Sequence, residues 1–386
     1  VVYDLAITDF AMPGLSGLEL ARELRALHPD RPVAITSGYI GEELRRLAAT
    51  DSHEVPPGWR LSPIAVERFI DGDPALGIAR KFVGESGQLR RTIISLCANR
   101  SCLLTGEPGT AKSWLSELLA AAICGNSTLT IQGNAISSLQ QMLYSWNPGV
   151  LAQHGPCPEA LVPGPLYRAM QAGQLLRFEE LTRCPLALQD SLLAVLSERI
   201  ILIPELAGEH GILYARQGFN LIATSNNVDE GIHSMSAALK RRLSFETIRP
   251  IPRIEDEIGV VQAELRQLNA TLGLQIEPDG EIIEVLVTLF HELRSGQSLD
   301  GRSTHRMAGA ALSTAEASHV ALAMCVHAHY YSNDQMRAED LVHFIIGTAL
   351  KDKPEDRRRL KYYFDSEISQ RQDAKWQQVY AQRHLL

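Results

Sequence analysis

The chain has 386 residues, 45 % hydrophobic and 21 % charged, with a net charge of −8. That size and balance fit a globular protein of two or three domains, and the acidic excess argues against nucleic acid as the main partner, since phosphate backbones need a basic surface. No apolar run approaches the ~18 residues of a membrane span, and six scattered cysteines without a C-x-x-C pair fit the reduced thiols of a cytoplasmic protein.

The first residues, Val1-Val-Tyr-Asp4, do not read as a signal peptide. Residues 3–9 read as a buried strand ending in an acid, and 10–17 as a loop. Residues 18–27 read as a helix with Leu18, Leu20, Leu24 and Leu27 on its apolar face. A second strand over 32–37 and a second helix over 42–49 follow. This βαβα order resembles the central part of a response-regulator receiver domain. Asp9 falls on the phospho-acceptor position, Met12 and Pro13 on the loop after it, and Ser37 on the hydroxyl position. The acidic pair of a receiver would precede Val1, and its later Lys has no candidate. Asp9 therefore lacks the metal site that activates phosphoryl transfer. Residues 1–50 are read as a truncated receiver-like fragment with an inert Asp9. Residues 51–75 begin as a linker with Pro56-Pro57-Gly58 and end with a helix over 63–70, capped by Ser62 and opened by Pro63.

The sequence becomes specific after a predicted helix over 85–99. An apolar strand over 102–104 feeds Thr105-Gly-Glu-Pro-Gly-Thr-Ala-Lys-Ser113, and a helix opens near Lys112. Strand, Gly/Pro loop, Lys-Ser pair and helix are the context of a phosphate-binding loop. Gly106 and Gly109 let the backbone turn its N–H groups inward, and the helix N-terminus adds partial positive charge. The expected ATP-binding stretch is Gly106, Glu107, Pro108, Gly109, Thr110, Ala111, Lys112, Ser113 and Trp114. Lys112 reaches the β- and γ-phosphates, and the Ser113 hydroxyl ligates Mg²⁺. Ala111 stands where G-x-x-x-x-G-K-[ST] has its second Gly. The smallest substitute serves there if its φ is negative.

Downstream, 128–132 reads as a β-branched strand, and 140–146 with 151–155 as an excursion out of the core. The run Gly173-Gln-Leu-Leu-Arg-Phe-Glu-Glu180 is an apolar strand ending in adjacent acids. Glu179 is placed to hold the Mg²⁺ water shell and Glu180 to orient and polarise the attacking water. An Asp is usual at the first position, and Arg177 inside the strand must find a partner or an edge. Residues 186–199 read as a helix with Leu188, Leu192, Leu193 and Leu196 facing in. Two strands, 200–204 and 212–215, are joined by a Gly loop. A buried strand over 219–226 ends in Asn226, beside the strand of Glu180, where an amide can hold the lytic water or sense the γ-phosphate. A short helix over 234–239 leads into Lys240-Arg-Arg242.

The order phosphate loop, acidic strand end, Ala223-Thr-Ser-Asn226 and Ala238-Leu-Lys-Arg-Arg242 resembles an AAA+ ATPase. The loop and the Gly164-Pro165-Leu166 element are similar to the MoxR family. Phe178-Glu-Glu-Leu-Thr-Arg-Cys-Pro185 and Ala237-Ala-Leu-Lys-Arg-Arg242 are most similar to its YehL-like branch. The resemblance spans residues 60–386. It implies an α/β fold: a P-loop NTPase αβα core with a parallel sheet over 76–250, an α-helical lid over 251–350 and a charged helical tail over 351–386. It implies Asn226 as sensor 1. It also implies Arg242, with Arg241 beside it, as an arginine finger reaching a neighbouring subunit's nucleotide. Ile78 and Val83 are candidates for an adenine wall or for plain packing. The lid is expected as helices over 255–272, 279–295, 313–331 and 337–350. Arg302 and Arg306 lie near the sensor-2 position, but the helix after Leu312 carries no Arg, so none is assigned. Cys325, His327 and His329 read as packing residues rather than ligands, and Arg357-Arg-Arg359 as a solvated face.

The function these features imply is a cytoplasmic Mg²⁺-dependent ATPase. It would work as a homo-oligomer, a hexameric ring, that remodels or matures a protein client such as a von Willebrand A-domain protein. The region of Tyr144, Trp146 and Asn147 would face the partner or cover the core. Two rivals stay open. A phospho-regulated AAA+ transcription activator is disfavoured by the missing Gly-Ala-Phe-Thr-Gly-Ala loop and the lack of a helix-turn-helix. A pseudo-ATPase scaffold is motivated by Ala111 and Glu179.

Overall fold

The computed structural model describes residues 6–9 and 33–36 by their backbone, and 41–85, 87–226, 234–274, 276–307, 312–351 and 353–386 in full. The chain divides into two compact units. The first holds Val1–Phe82, Ser86–Gly106 and Ala111–Thr247; the second holds Val83–Glu85, Glu107–Thr110 and Ile248–Leu386.

In the first unit, β1 (Ala6–Asp9) pairs in parallel with β2 (Val33–Thr36), Asp9 opposite Thr36. The helix expected over 18–27, Met12, Pro13, Ser37 and the Asp9 side chain lie outside the described residues. The helix Glu42–Thr50 follows, as the sequence predicts. Asp51 then anchors the linker: it accepts from Ser62 N at 2.7 Å and Ser62 Oγ at 2.8 Å. Ser62 Oγ in turn caps the helix Pro63–Asp71 by accepting from Ala65 N. The helix expected over 85–99 is shorter, Gln88–Cys97, because Gly87 and Asn99 on either side have positive φ.

The remaining strands of this unit are β3 (Ser101–Gly106), β4 (Thr130–Gln132), β5 (Tyr144–Trp146), β6 (Leu161–Pro163), β7 (Leu175–Glu179), β8 (Ile200–Leu202), β9 (Ile212–Tyr214), β10 (Asn220–Asn226) and β11 (Leu243–Ile248). Five of them form one sheet in the order β11-β3-β10-β7-β4, with β10 parallel to both β3 and β7, and β4 parallel to β7. Burial of Cys102, Leu103 and Leu104, and of every residue of β7, means that both sheet faces are covered. The helix Lys112–Cys124, apolar nearly all round, packs against β3, β7 and β10 and ends at Gly125 in the left-handed region. This αβα core is the one the sequence implies.

The excursion is more ordered than its sequence reads. After a turn of helix, Leu139–Met142, strand β5 pairs antiparallel with β6. Tyr144 and Trp146 meet edge to face at 5.9 Å and are half-buried against the core, while Tyr144 Oη donates to Glu205 at 2.9 Å. A second ribbon, β8 with β9, leaves Leu202, Ile212 and Tyr214 exposed. The short helix expected over 234–239 forms later, at Ala237–Lys240, because Ser236 is its cap and accepts from Leu239 N.

The second unit is helical: Ile254–Leu272, Gly280–Ser295, Thr314–Tyr331, Leu341–Ala349, Pro354–Ser366 and Ala374–Ala381. Asp279 caps the second of these, and Ser313 with Glu316 forms a reciprocal capping box on the third, which fixes both starts within a residue of expectation. The stretch expected as one helix over 337–350 is a 3₁₀ turn, Ala338–Asp340, followed by the helix from Leu341. Leu265, Phe290, Leu293 and Val320 share one core with Leu360, Tyr363, Phe364 and Val379. The tail is thus packed on its apolar side, while Arg357 and Arg358 are exposed.

Candidate functional site

The site forms at the end of β3. Gly106 is the last residue of that strand, and Lys112 Nζ folds back to donate to its carbonyl at 3.2 Å. Thr110 Oγ1 donates to the Glu107 carbonyl at 2.9 Å, closing the loop tip on itself. Gly109 has φ 76 and needs its glycine. Ala111 sits at φ 62, ψ 27, so the negative φ on which the sequence reading made this substitute conditional is not met. A left-handed Ala costs about 1–2 kcal/mol, so this loop keeps the glycine-like bend at the expense of strain. The Trp114 indole N–H donates to the Lys81 carbonyl at 3.0 Å. Ile78 is buried in the bridge to Asp73.

Glu179 ends β7 with a full set of donors. Its Oε2 accepts from Ser113 Oγ at 2.6 Å and Thr224 Oγ1 at 2.7 Å. Its Oε1 accepts from Ser116 Oγ at 2.6 Å and Arg177 Nη2 at 3.1 Å. Burial pushes this carboxyl up, but the bonds from Ser113, Ser116 and Thr224 and the Arg177 charge outweigh it and hold it below its ordinary value. Arg177 finds the partners its place in a strand demands: besides Glu179, its guanidinium reaches Ser116 Oγ, the carbonyls of Ser113 and Ser127, and Glu117 at 3.5 Å. An ionised carboxylate touching a phosphate-loop hydroxyl is an all-oxygen set suited to a hard divalent cation, so Ser113 and Glu179 fit Mg²⁺.

Glu180 is placed differently. It turns into the left-handed region at φ 54, ψ 47, while its N–H donates to Thr224 Oγ1 at 3.0 Å. Its Oε2 is buried, accepts no hydrogen bond among the described residues, and lies 3.4 Å from Arg183 Nε. An acceptor left open in this way suits a group that binds a water or a substrate proton. Asn226 ends β10, opposite Gly106 in register, so one strand carries both Thr224, which touches Glu179, and the amide to the end where β3 runs into the phosphate loop.

Arg242 lies elsewhere. Its guanidinium donates to Ser197 Oγ and to the Ala238 carbonyl at 2.9 Å, and it lines a cavity with Ser101 and Asn220, the first residues of β3 and β10. The phosphate loop is at the other end of β3, a separation of about 17 Å at a strand's rise per residue. In the second unit Arg306 pairs with Glu107 at 2.7 Å and Arg302 with Glu367 at 2.9 Å. Cys325 is buried, and His329 pairs with Asp334.

Sequence reasoning missed Ser116, Thr224 and Gly133. The first two supply donors to Glu179; a Cβ on Gly133 would collide with the Glu180 carbonyl oxygen. Ser116 lies one helical turn after Ser113, on the same face, which was a readable signal.

A phosphate loop after one strand, an acid pair at the tip of another and the strand between them ending in an amide define an AAA+ P-loop ATPase, an enzyme that hydrolyses ATP. Residues 101–243 match the AAA domain of the dynein-related subfamily, and 255–386 match the YehL-like AAA+ ATPase C-terminal domain. The uncharacterised protein YehL of Escherichia coli (strain K12) is 45 % identical over 359 residues, 93 % of this chain and 98 % of that protein. The chain belongs to the YehL family of AAA+ ATPases. The uncharacterised protein YojN of Bacillus subtilis (strain 168) is 25 % identical over 206 residues, 52 % of this chain and 61 % of its own length. Among solved structures, NtrX from Brucella abortus in complex with ADP aligns with 97 % of this chain and 84 % of its own, at 17 % identity and a TM-score of 0.48. Among the described residues no helix is long and apolar enough to cross a membrane.

Proposed function

We propose that this ATPase is of the MoxR type and assembles as a ring, six subunits in our reading, whose hydrolysis drives remodelling or maturation of a protein client in the cytoplasm. We read residues 1–50 as receiver-like, 51–75 as a linker and helix, 76–250 as the nucleotide core, 251–350 as the lid and 351–386 as its tail. The loop Gly106–Ser113 holds the phosphates, with Lys112 neutralising charge on the β- and γ-oxygens. Ser113 and Glu179 would hold Mg²⁺, which when bound offsets phosphate charge. Glu180 accepts the proton of the attacking water, and Asn226 orients that water. The exposed β8–β9 ribbon, with Leu202, Ile212 and Tyr214, is the client surface we favour over Tyr144 and Trp146, which are occupied in packing. A von Willebrand A-domain protein is the client class suggested by the MoxR resemblance.

The observation that carries the ring is the position of Arg242. Held beside the strand starts, it is a strand's length from its own phosphate loop, so any nucleotide it stabilises belongs to another copy. The test is ATP turnover against protein concentration for the wild type, Lys112→Ala and Arg242→Ala. Turnover per chain rises with concentration, each variant alone is inactive, and mixing the two restores part of the rate. Turnover per chain that stays flat on dilution, or a mixture as inactive as its parts, defeats the shared-site reading.

A further inference from the structure

Arg177 is a cation buried within β7, a strand in which every residue is buried. A guanidinium taken out of water is costly unless its donors are met, so the identity of its partners carries information. Its Nε donates to Ser116 Oγ at 3.1 Å and its Nη1 to the Ser127 carbonyl at 3.0 Å. Its Nη2 donates both to the Ser113 carbonyl and to Glu179 Oε1, each at 3.1 Å. One nitrogen therefore bridges the two residues that fit Mg²⁺. Glu117, 3.5 Å from Nη1, shares the charge.

Glu179 supplies the second observation. It stands where an aspartate is usual and is one methylene longer, so its carboxylate has one more bond to turn about. Its two oxygens are held by different kinds of donor. Oε1 takes the Arg177 guanidinium and Ser116 Oγ at 2.6 Å. Oε2 takes only hydroxyls, Ser113 at 2.6 Å and Thr224 at 2.7 Å. A planar guanidinium is a fixed, charge-assisted donor, whereas a hydroxyl rotates. Oε1 is thus the pinned oxygen, and Oε2, bonded to Ser113, is the one that can exchange. Ser116 lies one turn after Ser113 on the same helix, so the pin is anchored to the element that carries the phosphate-loop hydroxyl.

We propose that Arg177 and Ser116 are positioning residues for the divalent cation: by pinning Oε1 they take up the extra methylene of Glu179 and keep Oε2 on Ser113. Groups that stand behind a metal ligand orient it, and their loss weakens the metal about 10–100-fold. This role rests on Ser113 and Glu179 being the Mg²⁺ pair, as read above.

The probe is AMP-PNP, an ATP analogue with an imido bridge that resists hydrolysis, titrated calorimetrically into the full chain in EDTA and at rising Mg²⁺. In the wild type its affinity increases with Mg²⁺ through a midpoint. Ser116→Ala and Arg177→Met each move that midpoint to at least about tenfold higher Mg²⁺, while the affinity in EDTA stays within about twofold. A tie that merely holds helix to strand would instead lower the affinity equally with and without Mg²⁺, and that result overturns the proposal. Thermal unfolding checks each variant. Should Arg177→Met unfold, Ser116→Ala decides alone, because alanine keeps the helix. On a Glu179→Asp background the shorter side chain no longer needs the pin, and Ser116→Ala moves the midpoint by less than about twofold. A midpoint unmoved by Ser116→Ala in the wild-type chain, or moved as far on the Glu179→Asp background, overturns the proposal and leaves the cation pair standing. A wild type whose affinity is indifferent to Mg²⁺ overturns both, so the two failures are told apart.

Discussion

Glu179 in the first unit and Glu292 in the second are both buried carboxylates beside an arginine, yet their surroundings differ in kind. Glu292 accepts from Tyr363 Oη at 2.5 Å, from Arg371 Nη2 at 2.6 and 2.7 Å, and from Leu299 N at 2.9 Å. These donors bind the tail to the lid, and Arg371 is itself stacked on Trp376 at 3.9 Å. Glu257 is closed in the same way by Arg294, His291 and Thr314. Glu179 is held mainly by hydroxyls, one of them on the phosphate loop, and the next residue presents a buried oxygen that accepts no hydrogen bond among the described residues and has only the longer ion pair to Arg183 at 3.4 Å. A carboxylate closed by charged donors holds a structure together; one ringed by hydroxyls, next to an open acceptor, is set up for exchange.

The comparison can be broken most directly at Glu180. We expect Glu180→Gln to lower ATP turnover by about 10²–10⁴-fold while leaving ATP affinity and thermal unfolding unchanged. A variant that still turns over, or one that unfolds early, would put Glu180 in the same class as Glu292. Next in size is acid. Burial pushes Glu257 up, but His291, Arg294 and Thr314 prevail and hold its pKa at about 2 against 4.5. A folded-state pKa below the unfolded one means stability present above pH 4.5 and lost as pH falls toward 2. The full loss is about 3 kcal/mol. Hydrogen exchange in the helix Ile254–Leu272 should quicken across that window, and Glu257→Gln should flatten the dependence. An exchange rate indifferent to pH there, after correction for intrinsic chemistry, would show that the closed carboxylate stabilises nothing. The smallest effect is at Ala111. Ala111→Gly relieves a left-handed alanine and should stabilise the first unit by up to about 1 kcal/mol in urea unfolding. A loss of stability would mean that the bend at 111 is not the one described.

What the sequence made legible follows from how local each signal is. The phosphate loop, the acidic strand end and the helix starts at Gly280 and Thr314 each lie within a few residues, where a cap or a motif can be read directly. The β5–β6 pairing was not legible, because two three-residue strands carry no period. Neither was the φ of Ala111, since the bend is set by the loop and not by the residue. Thr224 reaches Glu179 through the parallel pairing of β10 with β7, and Arg177 finds Ser113, Ser116 and Ser127 on segments far from its own strand. Chemistry carried by one stretch of chain could be read; chemistry assembled across the sheet could not.

Thr224 has a single proton to offer. In the geometry described it points at Glu179, while the oxygen behind it receives the N–H of Glu180. A cation held by Ser113 and Glu179 would draw on the same oxygen and weaken the bond that Thr224 gives it. Thr224 would feel that change on the strand that ends, two residues later on the same face, at Asn226.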